Sequence, residues 1–460
     1  MYQLDFEKPV WVHFIGIGGI SMSGLAEVLL KRGFRITGSD SSESVLTKRL
    51  EEAGVQIFYG QRASNIADGI DVVVFTAAVH EDNPEYVAVA EKGIPLLSRA
   101  QLLGQMMRNY AHAIAVSGTH GKTTTTSMIA EILLEGGCDP TISLGGMLDS
   151  IGGNIRVGKS EYFISEACEY TNSFLSFYPT IGVILNIGED HLDFFKGLQD
   201  IRNSFRKFAE RIPKDGLLVI SSNIENYEEI TEGLICQVRT VGSRASDDYR
   251  LGGISFDRMA KPHFQVFEKS AGLQTDMALD VPGEHNVWNA MAAVAVGREL
   301  GLPVETVKEG LHRFSGTHRR FETKGQLGGI TIIDDYAHHP DEIRATLEAA
   351  RKCSCERVIC VFQPHTYTRT KAMLDKFAQA LSLADMVVLA EIYAAREKDD
   401  LGISSQNLQE KLLELGCEAH FFPTFDEIEN FLLKNSMNGD LLITMGAGDI
   451  VNVGERLLGY

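Results

Sequence analysis

The segment Ser117-Gly-Thr-His-Gly-Lys-Thr123 follows an apolar run and leads into a helical period. Its glycines let the backbone close around phosphate oxygens, the amides and dipole of a helix start favour an anion, Lys122 adds positive charge, and Thr123 offers a hydroxyl to magnesium. Gly118, Thr119, His120, Gly121, Lys122, Thr123 and Thr124 are therefore the nucleotide-binding candidates. Val116 stands where the general phosphate-loop pattern has its first glycine, which leaves GxxGKT. A tight strand-to-helix turn could use the same residues, but the flanking strand and helix favour the nucleotide.

A second glycine turn, Gly16-Ile-Gly-Gly-Ile-Ser-Met-Ser-Gly24, also follows an apolar run, and Asp40 ends the next one at a spacing that suits a ribose contact. By itself this turn suggests a nicotinamide cofactor, although Ser21 replaces the third glycine of the dinucleotide fingerprint. Glu166 ends another apolar strand, and His191 lies just past a further one, within Asn186-Ile-Gly-Glu-Asp-His-Leu-Asp193. Ligands of parallel sheets gather at the carboxyl ends of strands, so Thr123, Glu166 and His191 are expected to converge. The oxygens of Thr123 and Glu166 suit magnesium. Histidine is a less usual partner for that hard ion, and residue type alone makes His191 a satisfied core histidine.

Three later segments concentrate cations, imidazoles and phenols: Thr317-His-Arg-Arg-Phe-Glu322, Asp334-Asp-Tyr-Ala-His-His-Pro-Asp341 and Gln363-Pro-His-Thr-Tyr-Thr-Arg369. The planar fork of an arginine suits phosphate oxygens, and clustered His, Tyr and Arg suit a carboxylate or an amine. Each segment alone reads as a solvated charged loop.

The elements that must position these residues follow an α/β pattern, in which a short apolar run, a glycine or polar turn and a helical period recur as parallel units. A chain of 460 residues exceeds one hydrophobic core. Three blocks are expected, over 1–107, 108–315 and 316–460. Composition is that of an ordinary globular protein, 44% hydrophobic and 23% charged, with no apolar run long enough to span a bilayer. The start MYQLDFEKP lacks the basic and apolar regions of a secretory signal, so a cytoplasmic location is expected. Seven scattered cysteines without paired CxxC spacing read as reduced thiols. A formal charge of -19 and the absence of a basic tract argue against nucleic acid as a partner.

Taken in order, GIGGISMSGLAEVL, SGTHGKTTTT, SEACEYTNSF, NIGEDHLD, GEHNVWNAMAA, SGTHRRFE, DDYAHHPDEI and FQPHTYTRT resemble the Mur ligase family over essentially the whole chain. The resemblance implies three domains: a Rossmann-like N-terminal domain for a UDP-sugar, a central P-loop ATPase-type α/β domain, and a Rossmann-like C-terminal domain that brings the amino acid. It implies ATP-dependent ligation of L-alanine to the lactyl carboxylate of UDP-N-acetylmuramate through an acyl phosphate, with ATP and Mg2+ as cofactors, by a monomer or homodimer without membrane partners. Lys122 and Thr123 would then hold the ATP phosphates and one magnesium, with Glu166 on that ion and His191 on a second. By the same resemblance Asn286 and Asn289 would meet adenine, Arg320 the γ-phosphate and Asp335 the nucleotide ribose. Gly18, Gly19, Ser23 and Asp40 would bind the UDP-sugar, and Tyr336, His338, His365 and Arg369 would line the amino-acid site. Phe205 or Arg206 occupies the place of the carbamylated lysine of sister ligases, so no carbamate is expected. Thr366 stands where some relatives have another arginine. Within the family, the alternative is a recycling ligase that attaches a murein tripeptide to the same UDP-sugar. Outside it, a nicotinamide oxidoreductase would leave GTHGKTT idle, and a GTPase-like switch would leave the third block idle.

Overall fold

The computed structural model describes every residue except 1, 77, 193, 396, 399 and 400, so Asp193 at the end of NIGEDHLD lies outside the described residues. The first apolar runs form β1 (Trp11–Ile15), β2 (Arg35–Asp40), β3 (Gln56–Tyr59), β4 (Val72–Phe75) and β5 (Leu96–Ser98). They make a sheet of order β3-β2-β1-β4-β5 in which all neighbours are parallel. The helices α1 (Ile20–Lys31), α2 (Val45–Glu52), α3 (Pro84–Lys92) and α4 (Arg99–Met107) alternate with these strands. Local chemistry sets their ends. Ser44 and Thr47 form a capping box at the start of α2, while Asn83 caps α3 ahead of Pro84 and Gly93 ends it in a left-handed conformation. Because β1 has β2 on one side and β4 on the other, the strand order reverses there and opens a crevice at the carboxyl ends.

A second series comprises β6 (His112–Ser117), β7 (Thr141–Leu148), β8 (Gly153–Arg156), β9 (Tyr162–Glu166), β10 (Ile181–Ile184), β11 (Leu217–Ser221), β12 (Gln237–Gly242) and β13 (Tyr249–Phe256). Its sheet runs β13-β12-β11-β10-β6-β9-β7-β8, with β6 between β10 and β9. The helix α5 (Lys122–Glu135) follows β6 directly. Beyond β13 come the hairpin β14 (Pro262–Glu268) and β15 (Leu273–Ala278) and a third sheet. That sheet contains β16 (Glu322–Leu327), β17 (Ile330–Asp335), β18 (Val358–Phe362), β19 (Met386–Leu389), β20 (Glu418–Phe421) and β21 (Leu441–Met445), in the order β16-β17-β21-β18-β19-β20. The chain divides into two compact bodies, Met1–Arg250 with Met291–Gly310, and Leu251–Ala290 with Leu311–Tyr460. Among the described residues no helix is long and apolar enough to cross a membrane.

The α/β class is as the pattern predicts, but the pairing is not purely parallel. The pairs β7/β8, β14/β15 and β16/β17 are antiparallel. Short connections enforce this: Gly328 and Gly329, the two residues between β16 and β17, have φ of 58° and 83°, as a tight hairpin turn requires. Between Leu217 and Ala278 the structure forms β11 to β15, a stretch to which the sequence pattern assigns no strands. Several of these strands have half-exposed faces, which weakens the continuous apolar signature of a buried parallel strand.

Within the first body one core runs from the first sheet into the second, including Phe14, Leu25, Leu29, Met106, Ala115, Phe163 and Phe174. Two glycines permit the close approach that makes it continuous. A Cβ on Gly24 of α1 would fall 2.3 Å from Ile155 Cγ1, and one on Gly104 of α4 would fall 1.9 Å from the Ser176 carbonyl oxygen. Backbone cannot yield as a flexible side chain can. Gly104→Ala is therefore expected to destabilise the first body by about 2 kcal/mol or more, read as a lower urea midpoint with an unchanged m-value. A wild-type midpoint would show that α4 shifts freely.

Candidate functional site

The phosphate-type loop leaves β6 at Ser117 and enters α5 at Lys122. Gly118 (φ 146°) and Gly121 (φ 82°) occupy conformations that other residues rarely adopt, and Gly121 is the helix cap. Asn186, just past β10, clamps this turn. Its side-chain oxygen accepts the His120 amide at 2.8 Å, its side-chain amide donates to the His120 carbonyl at 3.0 Å, and its carbonyl accepts the Thr119 amide at 3.2 Å. The Gly188 amide adds a bond of 2.9 Å to Thr119 Oγ1. Lys122 Nζ donates to the carbonyls of Gly118 (2.6 Å) and Thr119 (3.0 Å) and to Glu169 Oε2 (3.1 Å). Burial disfavours its ammonium, but the charge and hydrogen bond of Glu169, together with Cys168 and Glu166 nearby, outweigh this and hold the lysine above its ordinary pKa. Thr124 is buried in the first turn of the helix.

Thr123 Oγ1 donates to Glu166 Oε2 at 2.9 Å, and the other Glu166 oxygen accepts the Gly145 amide at 2.5 Å. Thr123, in the first turn of α5, and Glu166, at the end of β9, are thus brought together, a pair of hard oxygen donors whose chemistry fits magnesium. His191 has surroundings of its own on the loop after β10. It adopts φ 53°, stacks on Tyr170 with ring centroids 4.4 Å apart, and lies 3.7 Å from Asp190 Oδ2. Partly exposed and held in a left-handed conformation, it is not a core histidine.

At the crevice of the first sheet lies a cavity of about 760 Å³ lined by residues that include Gly16, Gly18, Gly19, Asp40, Gln61 and Asn83. Asp40 Oδ2 accepts the Gly18 amide at 2.8 Å, and a Cβ on Gly18 would sit 2.9 Å from that oxygen. Ser23 does not line the cavity. The helix begins at Ile20, so Ser23 is buried within α1 and its hydroxyl donates to the Ile20 carbonyl at 3.1 Å.

In the second body, the end of β17 organises the third cluster. Asp335 accepts the amides of Phe321 (2.7 Å) and Ala337 (2.8 Å). Burial, only partly offset by Arg320, pushes its carboxyl up to about 6. The adjacent arginines separate in role. Both guanidinium groups lie over the Tyr336 ring, at 4.9 and 5.3 Å, but Arg319 bonds Asp334 Oδ2 (2.9 Å) and the carbonyls of Gly446 (2.7 Å) and Gly448 (3.0 Å), a structural latch, whereas Arg320 has only Glu342 at 4.0 Å among its described ion pairs. Tyr336, His338 and His365 form a chain of rings with centroids 5.4 and 5.7 Å apart, and His365 stacks on Tyr393. The positive charge of Arg369 acts on both histidines. Asn286 and Asn289 lie one turn apart on the helix Glu284–Glu299, joined by a bond of 3.1 Å. Phe205 is buried edge-on to Phe174, and Arg206 donates to the carbonyls of Glu229 and Glu232, so neither side chain points to a ligand role.

Sequence reasoning did not assign Asn186, Glu169 or Arg319. Asn186 directly follows an apolar strand, a position that could have marked it. Glu169 lies one short turn beyond Glu166, and nothing in the sequence distinguishes Arg319 from Arg320.

Burial lowers the pKa of both His285 and His338 to about 4. Each is neutral when folded and takes a proton more readily when unfolded, so stability falls as pH drops from about 6.5 towards 4, by on the order of 2 kcal/mol per histidine. Asp335 acts in the opposite sense, adding stability below its raised pKa of about 6 that is lost as pH rises through that value. His285→Asn should therefore flatten the decline in urea stability between pH 6.5 and 4.5. A variant whose decline matches wild type would place the titration elsewhere.

Comparison with known proteins matches residues 11–111 to the Mur ligase family, catalytic domain, 116–297 to the Mur ligase middle domain, and 319–448 to the Mur ligase, glutamate ligase domain. The UDP-N-acetylmuramate–L-alanine ligases of Agathobacter rectalis and Lachnospira eligens are 58% and 56% identical, each covering 100% of both chains. Among solved structures, UDP-N-acetylmuramate–alanine ligase from Thermotoga maritima is 33% identical with a TM-score of 0.79 over 98% of each chain. A murein peptide ligase from Psychrobacter arcticus is 26% identical with a TM-score of 0.69, also over 98% of each chain. The phosphate loop, the strand-end carboxylates and the ordered sequence motifs have their common explanation in descent, and the chain belongs to the Mur ligase family.

Proposed function

We propose that the protein joins L-alanine to the lactyl carboxylate of UDP-N-acetylmuramate, converting ATP to ADP and phosphate, as a cytoplasmic step of peptidoglycan precursor synthesis. The observation that carries this over the tripeptide-recycling alternative is the 58% identity, along the full length, to a ligase named for L-alanine, against 26% to a murein peptide ligase. We assign the UDP-sugar to residues 1–107, the nucleotide to 108–315 and the amino acid to 316–460.

A carboxylate is a poor electrophile, so it must first gain a leaving group. Its oxygen attacks the γ-phosphorus of ATP, ADP departs, and the resulting acyl phosphate is opened by the alanine amine with release of phosphate. Phosphoryl transfer needs positioning and charge neutralisation more than a protein nucleophile. Lys122 supplies a fixed cation beside the loop amides, and the roles given to Arg320, Asn286, Asn289 and Asp335 are those the resemblance implies. Magnesium, when bound, would neutralise phosphoryl oxygens, with Thr123 and Glu166 holding one ion and His191 a second. Gly18, Gly19 and Asp40 would take the UDP-sugar, and Tyr336, His338, His365 and Arg369 the amino acid. With burial holding its pKa near 4, His338 stays neutral at physiological pH, so cationic contact with the alanine carboxylate falls to Arg369.

ADP release with UDP-N-acetylmuramate and, in parallel, L-alanine, glycine, L-serine or the tripeptide tests the assignment, and preference for the tripeptide would overturn it. Lys122→Ala should lower turnover on the order of 10³-fold or more while UDP-sugar binding stays near wild type. Equal loss of UDP-sugar affinity would refute the division between nucleotide and sugar sites. Arg369→Ala should raise the L-alanine KM by about 30-fold or more, because a small zwitterion is recognised mainly through its charges, with the ATP and UDP-sugar constants little changed. Steady-state kinetics with each substrate varied in turn decides this.

A further inference from the structure

Behind the wall of the first-sheet cavity lies a carboxylate that the chemistry above does not use. Glu85, in the first turn of α3, is fully buried together with His13, whose Nε2 is 3.7 Å from its Oε2. Glu85 Oε2 accepts the Ser39 hydroxyl at 2.6 Å, while Oε1 accepts the Asn65 side-chain amide at 2.5 Å and the Arg62 backbone amide at 3.4 Å.

Each partner adjoins a segment that lines the cavity. Ser39 precedes Asp40, and its carbonyl accepts the amides of Gly16 and Ile17 at 2.8 and 3.0 Å, which holds the glycine turn. Asn65 also donates to the Gly60 carbonyl at 3.0 Å, and the Gly60 amide donates to the Asp40 carbonyl at 2.8 Å, so Gly60 and Arg62 are fastened on either side of the lining residue Gln61. The Glu85 amide donates to Asn83 Oδ1 at 2.9 Å, and Asn83 is a lining residue too. The Glu85 side chain thus fastens two lining segments, Ser39–Asp40 and the turn at Gln61; through the Ser39 carbonyl the first of these holds the glycine turn, and the Glu85 backbone amide holds Asn83.

Burial by itself raises the pKa of this carboxyl, but the nearby His13 ring and the hydrogen bonds from Ser39 and Asn65 hold it below the usual glutamate value. A buried charge carries a desolvation penalty that an apolar side chain would avoid, and simple packing does not call for one here. Ordering the loops before the ligand arrives does, since loops fixed in advance lose less entropy on binding.

We propose that Glu85 is a positioning residue that pre-organises this cavity for the uridine diphosphate part of the substrate. This rests on the assignment of the cavity to the UDP-sugar. Glu85 touches no substrate, and it acts through Ser39, Asn65 and the Arg62 amide.

The test uses Glu85→Gln, which keeps the size and one acceptor oxygen, and Ser39→Ala, which leaves the carboxylate its other partners. Glu85→Gln should raise the KM for UDP-N-acetylmuramate and the Kd for UDP, measured by calorimetry, by about ten-fold, while kcat and the ATP KM stay within about two-fold. Ser39→Ala should show the same split with a smaller rise. In the ligand-free protein, amide hydrogen exchange of residues 39–44 and 60–65 should quicken in Glu85→Gln, with that of β1 and β4 unchanged. Wild-type UDP affinity and wild-type exchange in Glu85→Gln would overturn the proposal, as would a fall in kcat at constant KM, the mark of general destabilisation. Should Glu85→Gln fail to fold, unchanged UDP affinity in Ser39→Ala overturns it instead. A wild-type protein that binds no UDP would refute the cavity assignment, and the proposal with it.

Discussion

A carboxylate wholly or partly withdrawn from water at a strand end must be solvated by its surroundings, and this fold meets that demand with the backbone amides of its own turns. Asp40 at the end of β2 takes the Gly18 amide, Glu166 at the end of β9 takes the Gly145 amide, and Asp335 at the end of β17 takes those of Phe321 and Ala337. Each bond satisfies a charge and fixes a loop at once. A carboxylate that accepts such bonds is stabilised by roughly 1.5–3 kcal/mol per bond, enough to decide the conformation of a short turn. The sites therefore stand at the carboxyl ends of strands with their turns already formed.

The phosphate loop shows the same economy with the opposite charge. Lys122 is held by two carbonyls of its own turn and by Glu169, foremost of the neighbours that together keep an ammonium protonated where burial alone would weaken it. Asn186 braces the turn from the neighbouring strand through three hydrogen bonds. The loop is thus held by two flanking strand ends, β9 through Glu169 and β10 through Asn186. That arrangement depends on β6 lying between β9 and β10 in the sheet, so strand order is part of the site.

In the second body the same pressure sorts two adjacent arginines. Asp334 is fully buried beside Thr444 and draws Arg319 inward, where it also satisfies two carbonyls after β21. Arg320 is left against the ring of Tyr336, partly exposed and near Glu342. The neighbouring histidines lose their charge to burial, so the cations of this cluster are arginines and its imidazoles are neutral at physiological pH.

The sequence by itself determined the α/β class, the strands that carry the motifs, and the glycine turns, because short apolar runs followed by Gly16, Gly118 or Gly121 have few other ways to fold. It also brought Thr123 and Glu166 together, since ligands of a parallel sheet gather at the carboxyl ends of its strands, whereas His191, expected with them, has surroundings of its own. The antiparallel hairpins, the half-exposed strands β12, β13 and β15 and the inward turn of Ser23 were not legible, because they depend on which faces become covered and on where α1 begins. Only tertiary structure decided that Glu169 rather than solvent meets Lys122, that Asn186 braces the loop, that Arg319 latches while Arg320 does not, and that Glu85 joins Ser39, Asn65 and the Arg62 amide. These are contacts between residues distant in the chain, or choices between identical neighbours. Their energies depend on burial and on the available partner, quantities that exist only once the sheets have formed.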